Sequence, residues 1–185
     1  MLFYDMLSSR YDDIFPYDPV TADFILAQVP QLVNGARVLD IGCATGSLAC
    51  DLASRGASVD AIDLDEAMIA EASSRGCGVR CRAADMRSVR SVYGDGVFDA
   101  VVCAGNTVAH LPDAAAVGEF LSAVNAVLAE NGKVFIQTRM PGSEVIPSLI
   151  EGDTERFYAV ETENRRRANA PPFGRFAAII ISSED

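Results

Sequence analysis

Three carboxylates, Asp40, Asp63 and Asp85, stand at or just after the ends of three expected strands, and the first leads into the small-residue turn Gly42, Cys43, Ala44, Thr45, Gly46. A turn built this way lets a ligand approach the backbone closely, and its N–H groups ahead of a helix suit a nucleotide-like group. The carboxylate of Asp40 at the lip of the turn adds negative charge, so the ligand that fits must also carry a positive group. Asp63 lies seventeen residues beyond Gly46. A carboxylate there can accept hydrogen bonds from both hydroxyls of a ribose, each contributing about 1.5–3 kcal/mol because the acceptor is charged. Asp85 stands where an adenine amino group would be recognised, with Leu64 and Met86 as apolar walls. Any one of these acids can cap a helix or a turn. Three at consecutive strand ends are hard to explain by packing.

The elements that must position them follow from periodicity and punctuation. Helical spacing runs over 19–29, 46–54, 65–74 and 113–129, with Asp65 as an expected N-cap and Gly56, Gly76 and Asn131-Gly132 as stops. Strands are expected over 37–41, 58–62, 79–83, 98–103 and 134–138, and FDAVVC at 98–103 reads as a strand buried on both faces. Strand and helix thus alternate through the first 140 residues, which predicts an α/β fold: a doubly wound, mainly parallel, Rossmann-like sheet in three αβα layers. In such sheets ligands bind beyond the carboxyl ends of the strands, where strand order reverses. A single domain over 1–185 is expected, with an N-terminal arm and helix over 1–35, a cofactor-binding core over 36–140 and C-terminal strands over 141–185.

A nicotinamide dinucleotide is the obvious rival ligand. Its fingerprint needs glycines at the first, third and sixth positions, where this chain has Gly42, Ala44 and Ser47. Asp40 would also face the pyrophosphate with like charge. A phosphate-binding loop is excluded because no Gly-Lys-Ser/Thr follows. S-adenosylmethionine meets both objections, since its ammonium can be held by Asp40 and its ribose by Asp63. The chain resembles class I S-adenosylmethionine-dependent methyltransferases. VLDIGCATG (38–46) is similar to the family's glycine-rich first motif, AIDLDEAMI (61–69) to its acidic second, AADMRSV (83–89) to the third and FDAVVCAGNTVAHL (98–111) to the fourth. The resemblance covers about residues 36–140 and implies cofactor contacts from Asp40, Gly42, Cys43, Ala44, Gly46, Asp63, Leu64, Met68, Asp85, Met86, Ala104 and Gly105. Ala44 stands where the family often has glycine, and it fits if that position keeps a negative φ.

Methyl transfer from a sulfonium is an in-line displacement, so alignment and exclusion of water are the protein's main tasks. If a base takes part, it is His110, the single histidine, in the segment after the fourth strand. GNTVAHLPD (105–113) resembles the corresponding segment of small-molecule amine N-methyltransferases of the glycine and sarcosine type, which hints at an amine acceptor that Asn106 would orient, while N, O and C all stay open as the methylated atom. The stretch FYDMLSSRYDDIFPYDP (3–19) resembles a tyrosine-bearing lid, with Tyr11 expected near the sulfonium, and Arg139 is expected at the rim of the substrate site.

Composition limits the partners. The 185 residues carry a net charge of −11, so the chain as a whole repels phosphate backbones, and the run Arg165-Arg166-Arg167 reads as a solvated edge. No nucleic acid and no membrane are expected, since no apolar run approaches the roughly 20 residues of a span and the first residues lack a basic signal region. A bacterial, cytoplasmic enzyme acting on a small molecule is the expectation. The five cysteines read as small buried or half-buried thiols, with no metal site. After the fifth strand about 45 residues remain, with strands expected at 155–163 and 175–182. They form either a closing hairpin or, the favoured reading, an antiparallel flap over the site. An unfinished sheet edge would then favour pairing with a second copy. It also gives the main alternative function: a module that binds the cofactor and has lost catalysis.

Overall fold

Apolar alternation and glycine punctuation become five strands and six helices over residues 10–137 of the computed structural model, which beyond them describes Ala159, Thr162, Glu163, Arg166 and Arg167. Short α1 (Tyr11–Ile14) and α2 (Val20–Gln28) precede a 3₁₀ turn, Pro30–Asn34. Then come β1 (Arg37–Ile41), α3 (Ser47–Ser54), β2 (Ser58–Asp63), α4 (Glu66–Ser74) and β3 (Arg80–Ala83). A 3₁₀ turn at Met86–Ser88 leads to α5 (Val89–Tyr93) and β4 (Phe98–Cys103). A last 3₁₀ turn, Thr107–His110, precedes α6 (Ala114–Val127) and β5 (Leu128–Ile136).

The strands form one parallel sheet in the order β3-β2-β1-β4-β5. The chain moves outward from β1 to β3 and then crosses to β4 on the other side of β1. The order therefore reverses between β1 and β4, and the crevice for a ligand opens beyond the carboxyl ends of those two strands. β1 and β4 are central and buried on both faces, so hydrophobic side chains run along them with few interruptions. Edge strand β3 is mostly exposed, with Arg80 and Arg82 on the outside.

Two layers of helix cover the sheet. Ile25 and Leu32 pack with Leu48, Leu52, Val38 and Val59 on one face, while Phe98, Phe120, Val124 and Val127 pack with Leu39, Ile41 and Val101 on the other. Each large side chain buried this completely contributes about 1.5–3 kcal/mol. In α6 Ala116, Phe120, Ala123, Val124 and Val127 are buried, while Val117 and Leu121 are only half-buried.

The last strand differs from expectation. Asn131-Gly132 does not end the helix, because α6 stops at Val127 and β5 starts at Leu128. Asn131 instead takes φ +63 within β5, where the pairing slips from Phe98↔Leu128 to Ala100↔Lys133. The residue expected to stop the helix makes a bulge in the strand.

The chain divides into two units, Met1–Thr138 and Arg139–Asp185. In the second, a strand was expected over 155–163, yet Ala159, Thr162 and Glu163 are helical. The reason is visible in the charge spacing: Glu163 accepts from Arg166 at 2.8 Å and from Arg167 at 3.0 Å, positions i+3 and i+4 that a helix brings to one face. The strand expected over 175–182, and with it the antiparallel hairpin or flap, lies outside the described residues.

Candidate functional site

The glycine turn is braced from β2. The N–H groups of Gly42 and Cys43 both donate to the Ile62 carbonyl, at 2.8 and 3.0 Å, and that of Gly46 donates back to Cys43 at 2.8 Å. Gly42 sits at φ +72, and a Cβ there would drive into the Thr107 side chain from the segment after β4. Gly46 is the N-cap of α3 at φ +80, with Ala72 of α4 3.0 Å from where a Cβ would lie. Both positions combine a left-handed backbone with a close neighbour, which leaves glycine as the residue that fits.

Ala44 corrects the expectation made for it. Its φ is +47, not negative, so an alanine occupies a left-handed position. Such a conformation costs an L-residue about 1–2 kcal/mol. It is held by Asp63, whose Oδ2 accepts the Ala44 N–H at 2.9 Å while Oδ1 accepts that of Asp65 at 3.0 Å. Asp63 therefore shapes the turn from the neighbouring strand. Each carboxylate oxygen accepts more than one hydrogen bond, so capacity for ligand hydroxyls remains. Asp65 caps α4 as expected, accepting from Ala67 and Met68 N–H groups at 2.8 and 3.2 Å.

Asp40 is the unusual residue. It belongs to β1, is only 2% exposed, and its Oδ2 is buried without a hydrogen-bond partner. Burial, and then the nearby charge of Asp63, push its carboxyl up to about 7. Next to it, burial followed by Asp40 and Asp63 pushes the Cys43 thiol up, so Cys43 is an inert apolar wall. A buried polar atom is normally paired. One left open beside a glycine cradle fits a ligand that brings the missing donor.

The other expected site residues divide. Leu64 is 75% exposed at the end of β2, an apolar side chain left in the open beside Asp63. Met86 is half-buried against the core, and Met68 is buried. Asp85 does not stand open. Both its oxygens bond the Arg87 guanidinium, the shortest contact being 2.6 Å, and Oδ1 also accepts the Arg87 N–H. The Arg87 hydrogen bonds hold its carboxyl below the usual range, so an adenine amino group would have to compete with a guanidinium. Ala104 is half-buried, and Gly105 donates its N–H to Gln137 Oε1 at 2.9 Å, tying the β4 loop to the end of β5. Asn106 takes φ +65 and begins the turn that carries His110, which is exposed. Tyr11 packs its ring 5.0 Å from that of Phe15. Arg139 and Tyr4 lie outside the described residues.

The participation of Asp12 and Arg75 was not expected. Asp12 on α1 accepts from the Thr45 hydroxyl at 2.6 Å and the Ser47 hydroxyl at 3.3 Å, and it pairs with Arg75 at the end of α4. Although burial works against it, Thr45 and Arg75 together hold its carboxyl below the usual range. The N-terminal arm is thereby pinned onto the cradle. Thr45 is 2% exposed, and Asp12 satisfies it. Only Tyr11, one residue earlier, pointed to this segment. Among the described residues no group of three or more His, Cys, Asp or Glu side chains is arranged to hold a metal ion.

Comparison with known proteins fits this geometry. A methyltransferase domain family model matches residues 38–132, from the start of the glycine turn's strand to the bulge in β5. The chain belongs to the methyltransferase domain family. It is similar to the ubiquinone biosynthesis O-methyltransferase of Xanthomonas oryzae, 33% identical over 154 residues, which cover 76% of this chain and 62% of that protein. The corresponding protein of Xylella fastidiosa is 34% identical over 125 residues, 65% of this chain and 48% of its own length. This methyltransferase domain thus spans about half to three fifths of the curated relatives. Among solved structures it is similar to the S-adenosylmethionine-bound amino pentose methyltransferase CalS10 of Micromonospora echinaspora, at 38% identity and a TM-score of 0.54 over 63% of this chain and 47% of that one.

Proposed function

We propose that this chain binds S-adenosylmethionine beyond the ends of β1, β2 and β4 and catalyses transfer of its methyl group to a small-molecule acceptor, an amine being favoured. The observation that carries the reading is the buried, unpartnered Oδ2 of Asp40 at the base of a turn where Gly42 leaves no room for a Cβ. A ligand with a compact ammonium on a nucleoside matches both features, whereas an anionic pyrophosphate would meet the Asp40 carboxylate with like charge. Asp40 would hold the ammonium, Asp63 the ribose hydroxyls, and exposed Leu64 would gain cover from the adenine. When bound, this cofactor supplies an electrophilic methyl group on a sulfonium.

The chain's own contribution is placement. The pinned arm, with Tyr11 beside Asp12, and the 3₁₀ turn after β4 carrying Asn106 and His110 both border the crevice. Holding reactants in line contributes roughly 7–11 kcal/mol in well-oriented systems. His110, exposed on that turn, is the group available to take a proton from the acceptor, and Asn106 to orient it. Similarity to O-methylating and amino-sugar-methylating proteins supports a small acceptor. The same reading makes the chain a cytoplasmic enzyme with no nucleic-acid partner, which its charge of −11 supports. A second copy of the chain is the proposed partner at the sheet edge beside β5. No helix among the described residues is long and apolar enough to cross a membrane.

Calorimetric titration with S-adenosylmethionine, S-adenosylhomocysteine and NAD side by side tests the reading. Micromolar binding of both adenosyl ligands, with NAD at least about a hundredfold weaker (a difference of about 2.7 kcal/mol), is expected. A folded sample that ignores all three, or prefers NAD, would overturn it. Binding of the adenosyl ligands without turnover of any amine or hydroxyl acceptor would leave a cofactor-binding module.

A further inference from the structure

Asp40 presents a problem that cofactor binding alone does not solve. Its buried Oδ2 has no hydrogen-bond donor beside it from the protein. An ionised carboxylate in that position costs several kcal/mol, whereas the neutral acid costs far less. The surrounding groups do nothing to relieve it. Asp63 at the end of β2 adds like charge. The thiols coupled to Asp40 from the other elements, Cys43 in the turn, Cys103 at the end of β4 and Cys81 on β3, are neutral at ordinary pH, each pushed up by burial and by Asp40 itself. Among the described residues no guanidinium or ammonium offsets the charge of Asp40. The ligand-free site is therefore built to hold a proton on Asp40.

We infer that Asp40 selects for a cationic ligand by exchange, giving up its proton to solvent as the ligand's ammonium takes the proton's place. The inference rests on the S-adenosylmethionine reading and adds what that reading lacks, a reason for burying the carboxylate unpaired. In the step, the O–H bond of the neutral Asp40 carboxyl breaks, the proton passes to buffer, and a carboxylate–ammonium pair forms. No electrons are transferred and no co-reactant is needed. The arrangement favours amino-acid-bearing nucleosides. A ligand with the nucleoside alone leaves the proton where it is. An anionic pyrophosphate has nothing to exchange, and it meets like charge if Asp40 ionises.

The signature is proton release coupled to binding. Calorimetry of the full chain with S-adenosylhomocysteine, in phosphate and in Bis-Tris at matched pH, reads it from the dependence of the apparent heat on the buffer. Close to one proton per ligand is expected at pH 6, falling toward zero at pH 8, with affinity rising about tenfold per pH unit below the Asp40 transition and levelling above it. 5′-Methylthioadenosine, which lacks the amino-acid end, should bind without release at either pH. Asp40→Asn should abolish the release and flatten the pH dependence, whereas His110→Gln should leave the release intact. The inference is overturned if S-adenosylhomocysteine binds with equal affinity and no buffer dependence at pH 6 and 8, and the cofactor reading then survives it. It is also overturned if the release follows His110 instead of Asp40. The buffer comparison uses the natural protein, so it decides the matter even if Asp40→Asn does not fold. A folded chain that binds no adenosyl ligand at any pH sinks both.

Discussion

The buried acid also leaves a mark on the ligand-free protein. Asp40 has a carboxyl raised to about 7 in the folded state, against 3.8 for an ordinary aspartate. A group raised on folding favours the native state fully at low pH and loses that contribution as pH climbs through the folded value. For Asp40 the loss spans roughly pH 4 to 7, because the unfolded chain ionises first. Asn is neutral at every pH and nearly the same shape. Asp40→Asn should therefore stabilise the ligand-free protein at pH 8 by on the order of 4 kcal/mol, and the gain should shrink as pH falls toward 4. Urea melts of both proteins across that range check it, and taking the difference removes the other carboxylates, Asp12, Asp51 and Asp85, whose lowered values pull stability the opposite way. A gain that is flat with pH would mean that Asp40 is already ionised at pH 4. At this scale the sequence was informative where a charge ends an apolar strand, as at Asp40 and Asp63. It gave no sign of the partners of Asp85, expected to meet an adenine amino group, or of Asp12, because Arg87, Thr45 and Arg75 depend on side-chain conformation or on contacts between distant elements.

At the level of elements, the cradle is a product of its neighbours. VLDIGCATG announces a tight turn, yet its shape is set by Ile62 and Asp63 from β2 and by Thr107 from beyond β4. That is why the left-handed Ala44 was not legible: the bond holding it comes from nineteen residues away. The strands and helices of the core were legible to within a residue or two because each carries its own period and stop. β5 was not, since its bulge answers the register of β4. The dependence of the turn on Thr107 can be measured. Gly42→Ala meets two penalties, a left-handed backbone and a collision with the Thr107 side chain. It should cost about 2–4 kcal/mol in all. Adding Thr107→Ala removes the collision and should recover about 1–2 kcal/mol of that loss, leaving the backbone cost. Strictly additive effects in this double-mutant cycle would show that the β4 segment does not press on the turn.

For the molecule as a whole, the cysteines show where sequence reading stopped. Odd in number and scattered, they read as thiols, and Cys43, Cys81 and Cys103 are free. Cys50 of α3 and Cys77 after α4 instead form a disulfide, their Cα atoms 5.5 Å apart and separated by 27 positions in sequence. No local pattern could pair them, because what brings them together is the packing of α3 and α4 on the same face of the sheet. The bridge crosses behind the cradle: Cys50 N–H donates to the Gly46 carbonyl, and the Gly46 backbone lies against Ala72 of α4. A cross-link of this span restricts the unfolded chain and should contribute about 3 kcal/mol. Reductant should lower the urea midpoint of the natural chain accordingly, while Cys50→Ser should begin at the lower midpoint and not respond to reductant. Equal midpoints for the natural chain with and without reductant would mean that the pairing of α3 with α4 rests on their apolar faces alone. The reduced protein also separates two roles for the bridge. If it binds adenosyl ligands as tightly as the oxidised form, the disulfide stabilises the fold; if affinity falls with the bridge, the disulfide sets the position of the α3 N-terminus, and with it the cradle that Asp40 serves.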